Sequence, residues 1–160
     1  MEQGLRLPLV YNTSAYDSLE SLALLDGVVD IYLPDLKLFS QDLCKKYLKA
    51  EDYPEVARAA LKEMNRQVGA LDIGAEGLAR RGVLIRHLVM PGLPQETRSI
   101  LAWIAHELGP DTYLNLMDQY RPGGKVGVRC WPELNRPLQA SEFQAALTAA
   151  RDVGLRRFDE

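Results

Sequence analysis

Four groups of polar side chains directly follow, or lie within, the apolar segments of this sequence. Asp35 and Lys37 come after one apolar run, and Arg86 lies inside another. A carboxylate suits the hydroxyl groups of a ribose, a lysine or arginine suits a carboxylate or phosphate, and an amide or aromatic group suits a purine. The candidates therefore predict a pocket for a small molecule that carries a nucleoside or an amino acid, formed by Asn12, Thr13, Asp35, Lys37, Arg86, Gln119 and Tyr120.

Each candidate also has a purely structural interpretation when it is taken alone. The Asn-Thr-Ser sequence at residues 12–14 is a common turn, and Asp35 with Lys37 could form a simple surface ion pair. Arg86 is harder to explain in this way, because a charged side chain inside an apolar strand needs a partner. His87 points to the opposite face of the same strand, where we expect it to pack or to make a local hydrogen bond.

The apolar runs predict four β-strands that alternate with helices. The strands cover residues 5–11, 28–33, 83–90 and 112–117. Because these runs are nearly continuous, they are typical of parallel strands covered by helices. The carboxyl ends of parallel strands meet at one edge of a sheet, where ligands usually bind. The four groups of polar side chains are therefore expected at a single rim.

Capping residues and glycines mark the helices between the strands. An Asp17 cap with Glu20 three residues later begins the first helix, and Ser40 begins the second. Pro54 lies in the first turn of a longer helix that ends at Gly69. The remaining signals predict a surface hairpin over residues 71–82, a helix over 100–108, a long loop over 118–137 and a last helix capped by Ser141 and Gln144.

The composition is that of a globular protein without a strong charge field. The chain has 160 residues, 47% of them hydrophobic, and a net charge of -3, which predicts a single domain over residues 1–160. No positive field would attract nucleic acid or an acidic membrane surface, and no apolar run reaches the ~20 residues of a membrane span. The absence of a basic, apolar leader predicts a cytoplasmic location.

Four blocks of sequence, in this order, resemble a known family. They are residues 7–20 (LPLVYNTSAYDSLE), 29–37 (VDIYLPDLK), 85–92 (IRHLVMPG) and 115–122 (NLMDQYRP). With them the chain resembles the PflX-like radical SAM proteins, which are relatives of the pyruvate formate-lyase activating enzymes. The likeness extends over essentially the whole chain, and the order of the four blocks makes it specific.

The resemblance implies a partial (β/α) barrel of radical SAM type, to which this chain contributes four parallel strands with flanking helices. Family members bind a four-iron four-sulfur (4Fe-4S) cluster through a C-x-x-x-C-x-x-C loop after the first of six strands, and S-adenosylmethionine binds the cluster. This sequence has no such motif and only two cysteines, Cys44 and Cys130. We therefore expect a C-terminal portion that lacks the N-terminal units and is inactive alone, because three thiolates are needed to hold the cluster.

The resemblance also assigns roles to the first candidates. Asn12 and Thr13 correspond to a loop near the methionine end of S-adenosylmethionine and a monovalent cation, although Asn12 stands where an aspartate is common. Asp35 and Lys37 correspond to a D-x-K sequence that approaches the ribose and the methionine. These four residues are expected to bind the cofactor, and no residue of the chain is assigned as a catalytic group or a metal ligand.

The later candidates complete the expected cofactor site. Arg86 corresponds to an arginine in the fifth family strand that contacts S-adenosylmethionine. Tyr120 stands where the activating enzymes often place a histidine beside the adenine, and Gln119 competes with it for that contact. In the intact family protein, cluster reduction of the cofactor gives a 5′-deoxyadenosyl radical that abstracts hydrogen.

A four-strand piece of a barrel has consequences for partners. Its first strand has an unpaired edge, which is a template for association with another chain. We expect the missing N-terminal half, or a second copy of the chain, to cover this edge. The resemblance adds a protein of the glycyl-radical type as a candidate substrate.

Two other functions remain open from the sequence. One is a non-enzymatic module that binds a small molecule or a partner, which would explain the missing cluster motif. The other is an aldolase-like half barrel in which Lys37 forms a Schiff base beside Asp35. That chemistry requires a buried, neutral lysine amine.

Overall fold

In the computed structural model, which describes residues 7–158, helices pack against a mostly parallel β-sheet. The strands are β1 (Val10–Thr13), β2 (Ile31–Pro34), β3 (Asp72–Ile73), β4 (Ala79–Leu88), β5 (Tyr113–Met117) and β6 (Arg157–Phe158). The helices are α1 (Leu19–Ala23), α2 (Gln41–Leu43), α3 (Tyr53–Val68), α4 (Pro94–Glu107) and α5 (Ala140–Asp152), with a π-helical turn at Cys44–Leu48 and a 3₁₀ turn at Pro132–Leu134.

The α/β class is confirmed, and the number of strands is corrected. The order across the sheet is β1-β2-β4-β5-β6 with every neighbouring pair parallel, so the described residues form five parallel strands rather than four. The additional strand, β6, has only two residues, which is too short for a hydrophobic pattern to reveal. The predicted first strand, residues 5–11, begins outside the described residues; within the described part of the chain, the strand covers Val10–Thr13.

The predicted hairpin is present, but it is continuous with the third predicted strand. β3 pairs antiparallel with the start of β4, with Asp72 opposite Arg81. Gly82 allows this continuity, because its φ of +120° and the close passage of residues 70–71 leave no space for a side chain. A Cβ at Gly82 would overlap the Ala70 carbonyl and the Leu71 Cα. Glycine is required here because the backbone of another segment crosses the strand.

The start of α1 differs from the prediction. Its N-cap is Ser18, whose hydroxyl accepts a hydrogen bond from the Ser21 N–H at 3.1 Å. Asp17 instead accepts hydrogen bonds from the Tyr11 hydroxyl at 2.9 Å and the Thr13 hydroxyl at 2.5 Å. The carboxylate therefore ties the loop after β1 to that strand, and does not cap the helix.

The other predicted helices are present, but α4 begins at Pro94, six residues before the predicted start, and the caps differ. Ser40 precedes α2 without a capping side-chain bond, and Gly69, at a φ of +76°, ends α3. The capping box of α5 consists of Gln139 and Glu142, two positions before the predicted pair. Within residues 7–158, no helix has both the length and the apolarity that crossing a bilayer requires.

The two faces of the sheet differ in burial. Along β4, Val83, Ile85 and His87 are buried on the face that packs against the helices. Leu84 and Arg86 lie on the opposite face, which is only half-buried among the described residues. Among the described residues, the prediction of strands covered by helices is therefore met on one face of the sheet.

His87 connects this buried face to the loop after β2. Its Nδ1 lies 2.8 Å from the Leu36 carbonyl oxygen and its Nε2 lies 3.0 Å from the Thr97 hydroxyl. Because a carbonyl can only accept, Nδ1 carries the proton, and the Thr97 hydroxyl donates to Nε2. Burial lowers the pKa of His87 to about 4, since the charged imidazolium would lose its hydration. The neutral ring therefore joins β4, α4 and the loop after β2.

We expect the free energy of unfolding to fall as the pH drops from 6.5 to 4.5. In this interval the unfolded chain protonates His87 at its ordinary pKa of 6.5, while the folded chain, with a pKa of about 4, does not. Stability from the neutral ring is complete above pH 6.5 and is lost on acidification, by about 3 kcal/mol once the pH reaches the folded pKa. Urea unfolding at several pH values measures this loss.

The two histidines of the chain provide a matched control. The variant His87→Gln should remove most of the pH dependence above pH 4.5, whereas the variant of the exposed histidine, His106→Gln, should retain it. Glu63, Glu133 and Glu142, whose partners lower the pKa of each to about 2, lose their stabilisation mainly below pH 4.5, where the unfolded carboxylates become protonated. The change between pH 6.5 and 4.5 is therefore assigned chiefly to His87. An unchanged pH dependence in His87→Gln would contradict the assignment.

Candidate functional site

Four of the predicted residues lie together at the carboxyl end of β1, β2 and β4. The Arg86 Nε donates to Asp35 Oδ1 at 2.7 Å, and the Arg86 Nη2 donates to Asn12 Oδ1 at 2.9 Å. The Lys37 Nζ donates to Asp35 Oδ2 at 2.9 Å. A parallel bridge places Asp35 directly opposite Arg86, so the register of the sheet brings the two charges together.

The charges of this cluster do not cancel. The Asp35 carboxylate pairs with two cations, Lys37 and Arg86, which leaves one net positive charge. The side chains are accessible but sheltered, with exposed fractions of 23% for Asp35, 26% for Arg86 and 38% for Lys37. Lysine has three N–H donors and arginine has five, more than the bonds above use. The cluster can therefore still bind an anionic group.

The other three predicted residues, Thr13, Gln119 and Tyr120, share no hydrogen bond with this cluster among the described residues. The Thr13 hydroxyl bonds to Asp17 and accepts from the Ala15 N–H at 3.1 Å. Gln119 is exposed in the loop after β5, with its amide nitrogen 3.5 Å from the Met117 sulfur. Tyr120 is buried, and its hydroxyl donates to the Leu134 carbonyl at 3.0 Å.

Tyr53, a residue that sequence reasoning did not single out, holds the loops that carry the cluster. Its buried hydroxyl lies 3.0 Å from the Ser14 carbonyl oxygen and 2.8 Å from that of Asp35, and it accepts a hydrogen bond from the Lys37 N–H at 3.0 Å. Burial raises the pKa of this hydroxyl, so it remains protonated and donates to one of the two carbonyls. One side chain thus connects the loop after β1 with the loop after β2.

Glu96 fixes the next part of the loop after β2. Its carboxylate accepts hydrogen bonds from the Phe39 N–H at 2.7 Å and the Ser40 N–H at 2.9 Å. Glu96 is 8% exposed and lies in the first turn of α4. With His87 and Tyr53, it satisfies backbone groups that would otherwise be left unpaired in a covered loop. The position of Lys37 is therefore set by polar groups of α3, α4 and β4.

The open face of the sheet has an apolar layer beside the polar cluster. Leu33, Leu84 and Tyr113 are half-buried and lie in register across β2, β4 and β5. One pleat further, Arg86 faces Asn115 across β4 and β5. Asn115 belongs to the same layer as the cluster, and its polar side chain between the apolar Leu114 and Leu116 is the sequence signal that could have identified it.

The two cysteines form no metal site with other residues in the described part of the chain. Among the described residues, no group of three or more histidine, cysteine, aspartate or glutamate side chains is placed to hold a metal ion. Cys44 is buried, and burial raises its thiol pKa to about 11, which opposes thiolate formation at neutral pH. The described residues therefore do not fit an iron-sulfur cluster.

The geometry at Lys37 also bears on the aldolase-like alternative. A Schiff-base lysine attacks its substrate as a neutral amine. The Lys37 nitrogen instead pairs with the Asp35 carboxylate at 2.9 Å, and more than a third of the side chain is exposed. This ion pair favours a role in binding an anion over a role as nucleophile.

No family model matches the chain. The sequence is similar to the uncharacterized protein MJ0674 of Methanocaldococcus jannaschii, with 31% identity over 150 residues. The aligned region covers 93% of this chain but 39% of that protein, so the chain spans about two fifths of the length of this relative.

The fold is similar to that of a domain whose crystal structure is known. The crystal structure of a domain of pyruvate-formate lyase-activating enzyme from Bacteroides vulgatus aligns with a TM-score of 0.64. The alignment covers 94% of this chain and 80% of that domain, at 12% sequence identity. At this identity the likeness shows a shared fold, in which the strands and helices follow the same path.

We expect the variant Tyr53→Phe to lower the free energy of unfolding by about 1–3 kcal/mol. The Lys37 N–H and one loop carbonyl would lose their buried partner, while the volume of the ring is kept. Urea unfolding measures the change. The matched variant Tyr16→Phe removes a hydroxyl that bonds to Asp52 from a ring that is 45% exposed, and should leave the free energy of unfolding nearly unchanged. Equal losses in the two variants would contradict a positioning role for Tyr53.

Proposed function

We propose that this chain forms the S-adenosylmethionine-binding side of a radical SAM protein related to the pyruvate formate-lyase activating enzymes. The observation that carries the proposal is the cluster of Asp35, Lys37, Arg86 and Asn12 at the carboxyl edge of parallel strands. The fold shared with a domain of an activating enzyme supports it. The order of the four sequence blocks, with the finer likeness to the PflX-like proteins, supports it as well.

The chemistry of the cluster suits the two ends of the cofactor. Lys37 and Arg86 carry unused N–H donors and one net positive charge, which match the carboxylate of the methionine part. The Asp35 carboxylate can accept from ribose hydroxyls, and Asn12 adds an amide that donates and accepts. The half-buried apolar layer of Leu33 and Leu84 provides a surface beside these polar groups for the less polar parts of the ligand.

Each residue then has a defined task. Arg86 and Lys37 bind and orient the amino-acid end, and Asp35 holds both cations in place while it approaches the ribose. Tyr53 keeps the two loops at a fixed separation. Gln119 and Tyr120 lie on the loop after β5, which would contact the adenine. When bound in such proteins, the cofactor supplies one-electron chemistry, and the protein supplies position and electrostatics.

The iron-sulfur cluster belongs to another part of such a protein. The described residues do not fit it, and the sequence has only two cysteines. The relative from Methanocaldococcus jannaschii extends well beyond the aligned region, which gives room for a cluster-binding segment. By itself the chain is therefore expected to bind the cofactor without reacting with it.

Binding of S-adenosylmethionine to the chain tests the proposal by isothermal titration calorimetry. We expect measurable heat with S-adenosylmethionine, and affinity losses of about tenfold, or about 1.4 kcal/mol, in Asp35→Asn and in Arg86→Gln. Methionine and adenosine, titrated separately, show which end of the ligand each residue contacts.

A matched pair elsewhere in the fold controls for general charge effects. Asp111→Asn removes an exposed carboxylate that lies 3.7 Å from Arg156, just before β5 at the opposite edge of the sheet. This variant should bind as the parent chain does. Absence of binding by the parent chain, or equal losses in Asp35→Asn and Asp111→Asn, would count against the proposal.

The proposal also concerns what covers the sheet edge formed by β1. β1 is one of the two outer strands of the described sheet, and its Val10 side chain is 55% exposed on the same face as the apolar layer. We propose that further strands of a longer protein cover this edge and face, as the length of the relative suggests. An exposed apolar edge strand favours pairing with another chain.

We therefore expect the chain alone to self-associate through β1. Analytical ultracentrifugation should show species larger than a monomer, and Val10→Lys should reduce their fraction because a charge at the edge disfavours pairing. Leu78→Lys, in the turn before β4, changes a side chain that is 67% exposed and should have little effect. A monomeric parent chain, or equal effects of the two variants, would contradict this use of the edge.

A further inference from the structure

The loop after β5 contains a concentrated positive charge that the site above does not use. We call residues 121–130 the cationic loop. It contains Arg121, Lys125 and Arg129 and no acidic residue, although the chain as a whole has a net charge of -3. All three side chains are exposed, and none forms an ion pair or a hydrogen bond with another described residue.

Contacts at both ends hold the cationic loop in place after β5. Before it, the Tyr120 hydroxyl donates to the Leu134 carbonyl at 3.0 Å. After it, the Trp131 ring packs edge-on against Tyr47 with 5.5 Å between ring centroids, and Glu133 accepts from Lys46 at 2.6 Å. The loop is therefore anchored to the π-helical turn after α2.

The interior of the loop is also turned back on itself. The Val126 N–H donates to the Gly123 carbonyl at 3.1 Å, and the Gly127 N–H donates to the Cys130 carbonyl at 2.8 Å. These bonds present the tip to solvent, with Val128 83% exposed. An apolar side chain is thus displayed among three unpaired cations.

Two acidic residues flank the loop in sequence, Asp118 and Glu133. Asp118 is exposed and forms no ion pair with the three cations among the described residues. Glu133 already accepts hydrogen bonds from Lys46 and Tyr47, and a further cation, the Lys49 ammonium, lies 5.6 Å from the Trp131 ring centroid. Unpaired cations around an edge raise the local potential and attract a negatively charged partner.

We propose that the cationic loop docks an acidic polypeptide segment of a partner protein, with carboxylates at its cations and an apolar residue at Val128. Because the loop leaves the same sheet edge as Arg86, a docked segment would be delivered beside the candidate site. The inference depends on the loop alone and stands whether or not the edge binds S-adenosylmethionine.

The observations favour a polypeptide over a nucleic acid. Single-stranded nucleic acid is held by aromatic rings on which bases stack. The aromatic side chains that border the loop are engaged elsewhere, since Tyr120 is buried and Trp131 packs against Tyr47. The spacing of the charges favours a polypeptide segment over a small anion. The three cations are distributed along nine residues around an exposed apolar side chain.

Fluorescence of Trp131 tests the proposal directly. The chain has two tryptophans, so Trp103→Phe leaves Trp131 as the single reporter beside the loop. In this background a short oligoglutamate peptide should change the emission saturably, and added salt should weaken its binding. A neutral oligoglutamine peptide of equal length should have no effect.

Two triple variants separate a specific surface from general charge. The first variant removes the three cations of the loop and should raise the apparent Kd for oligoglutamate by about tenfold or more. It combines Arg121→Gln, Lys125→Gln and Arg129→Gln. The matched variant Lys62→Gln with Arg80→Gln and Arg98→Gln removes the same charge from exposed positions on α3, β4 and α4, and should bind as the parent does.

Four outcomes would overturn the proposal. They are no response to oligoglutamate, equal weakening in the two triple variants, an equal response to inorganic phosphate, and tighter binding of oligothymidylate. The third would indicate a small-anion site and the fourth a nucleic-acid surface. Circular dichroism of each variant establishes that folding is retained. Calorimetry with S-adenosylmethionine tests the proposed cofactor site, and its result does not bear on the loop.

Discussion

The ion pair between Asp35 and Arg86 joins β2 and β4 at 2.7 Å, where the parallel register places the two residues opposite each other. An arginine within a strand is tolerated only when its charge meets a partner. Asp35 provides that partner and also binds Lys37, so its two oxygens organise two cations. The pair therefore contributes orientation more than stability, because a sheltered ion pair must first offset the loss of hydration. Everything proposed for the site depends on this arrangement.

Neutral hydrogen bonds, rather than further charges, hold the loop on which the pair depends. The Tyr53 hydroxyl contacts the backbone at Ser14, Asp35 and Lys37, and the neutral His87 ring holds the Leu36 carbonyl. A neutral donor can be buried at lower cost than a charged one. The site can thus keep a net positive charge at the surface while the groups beneath it remain uncharged.

The sequence predicts the convergence at the edge of the sheet better than the groups that support it. Continuous apolar runs identify parallel strands, and the residues after them must meet, as Asn12, Asp35 and Arg86 do. Tyr53 contacts residues 16, 18 and 39 positions away, and no local pattern encodes such distances. The local sequence predicts Asp17 as a helix cap, but the hydroxyl groups of β1 compete for its carboxylate.

The two arrangements of charge at this edge match the two kinds of ligand that we propose for it. The chain is acidic overall, yet the cluster at Arg86 has one net positive charge, and the cationic loop adds three. Within the cluster, the cations converge on one carboxylate and leave a few directed donors, which suits a small ligand with a single anionic group. In the loop, the cations diverge around Val128, which suits a longer chain of anionic groups. Convergent and divergent arrangements of the same side-chain types therefore separate a small-molecule site from a docking surface.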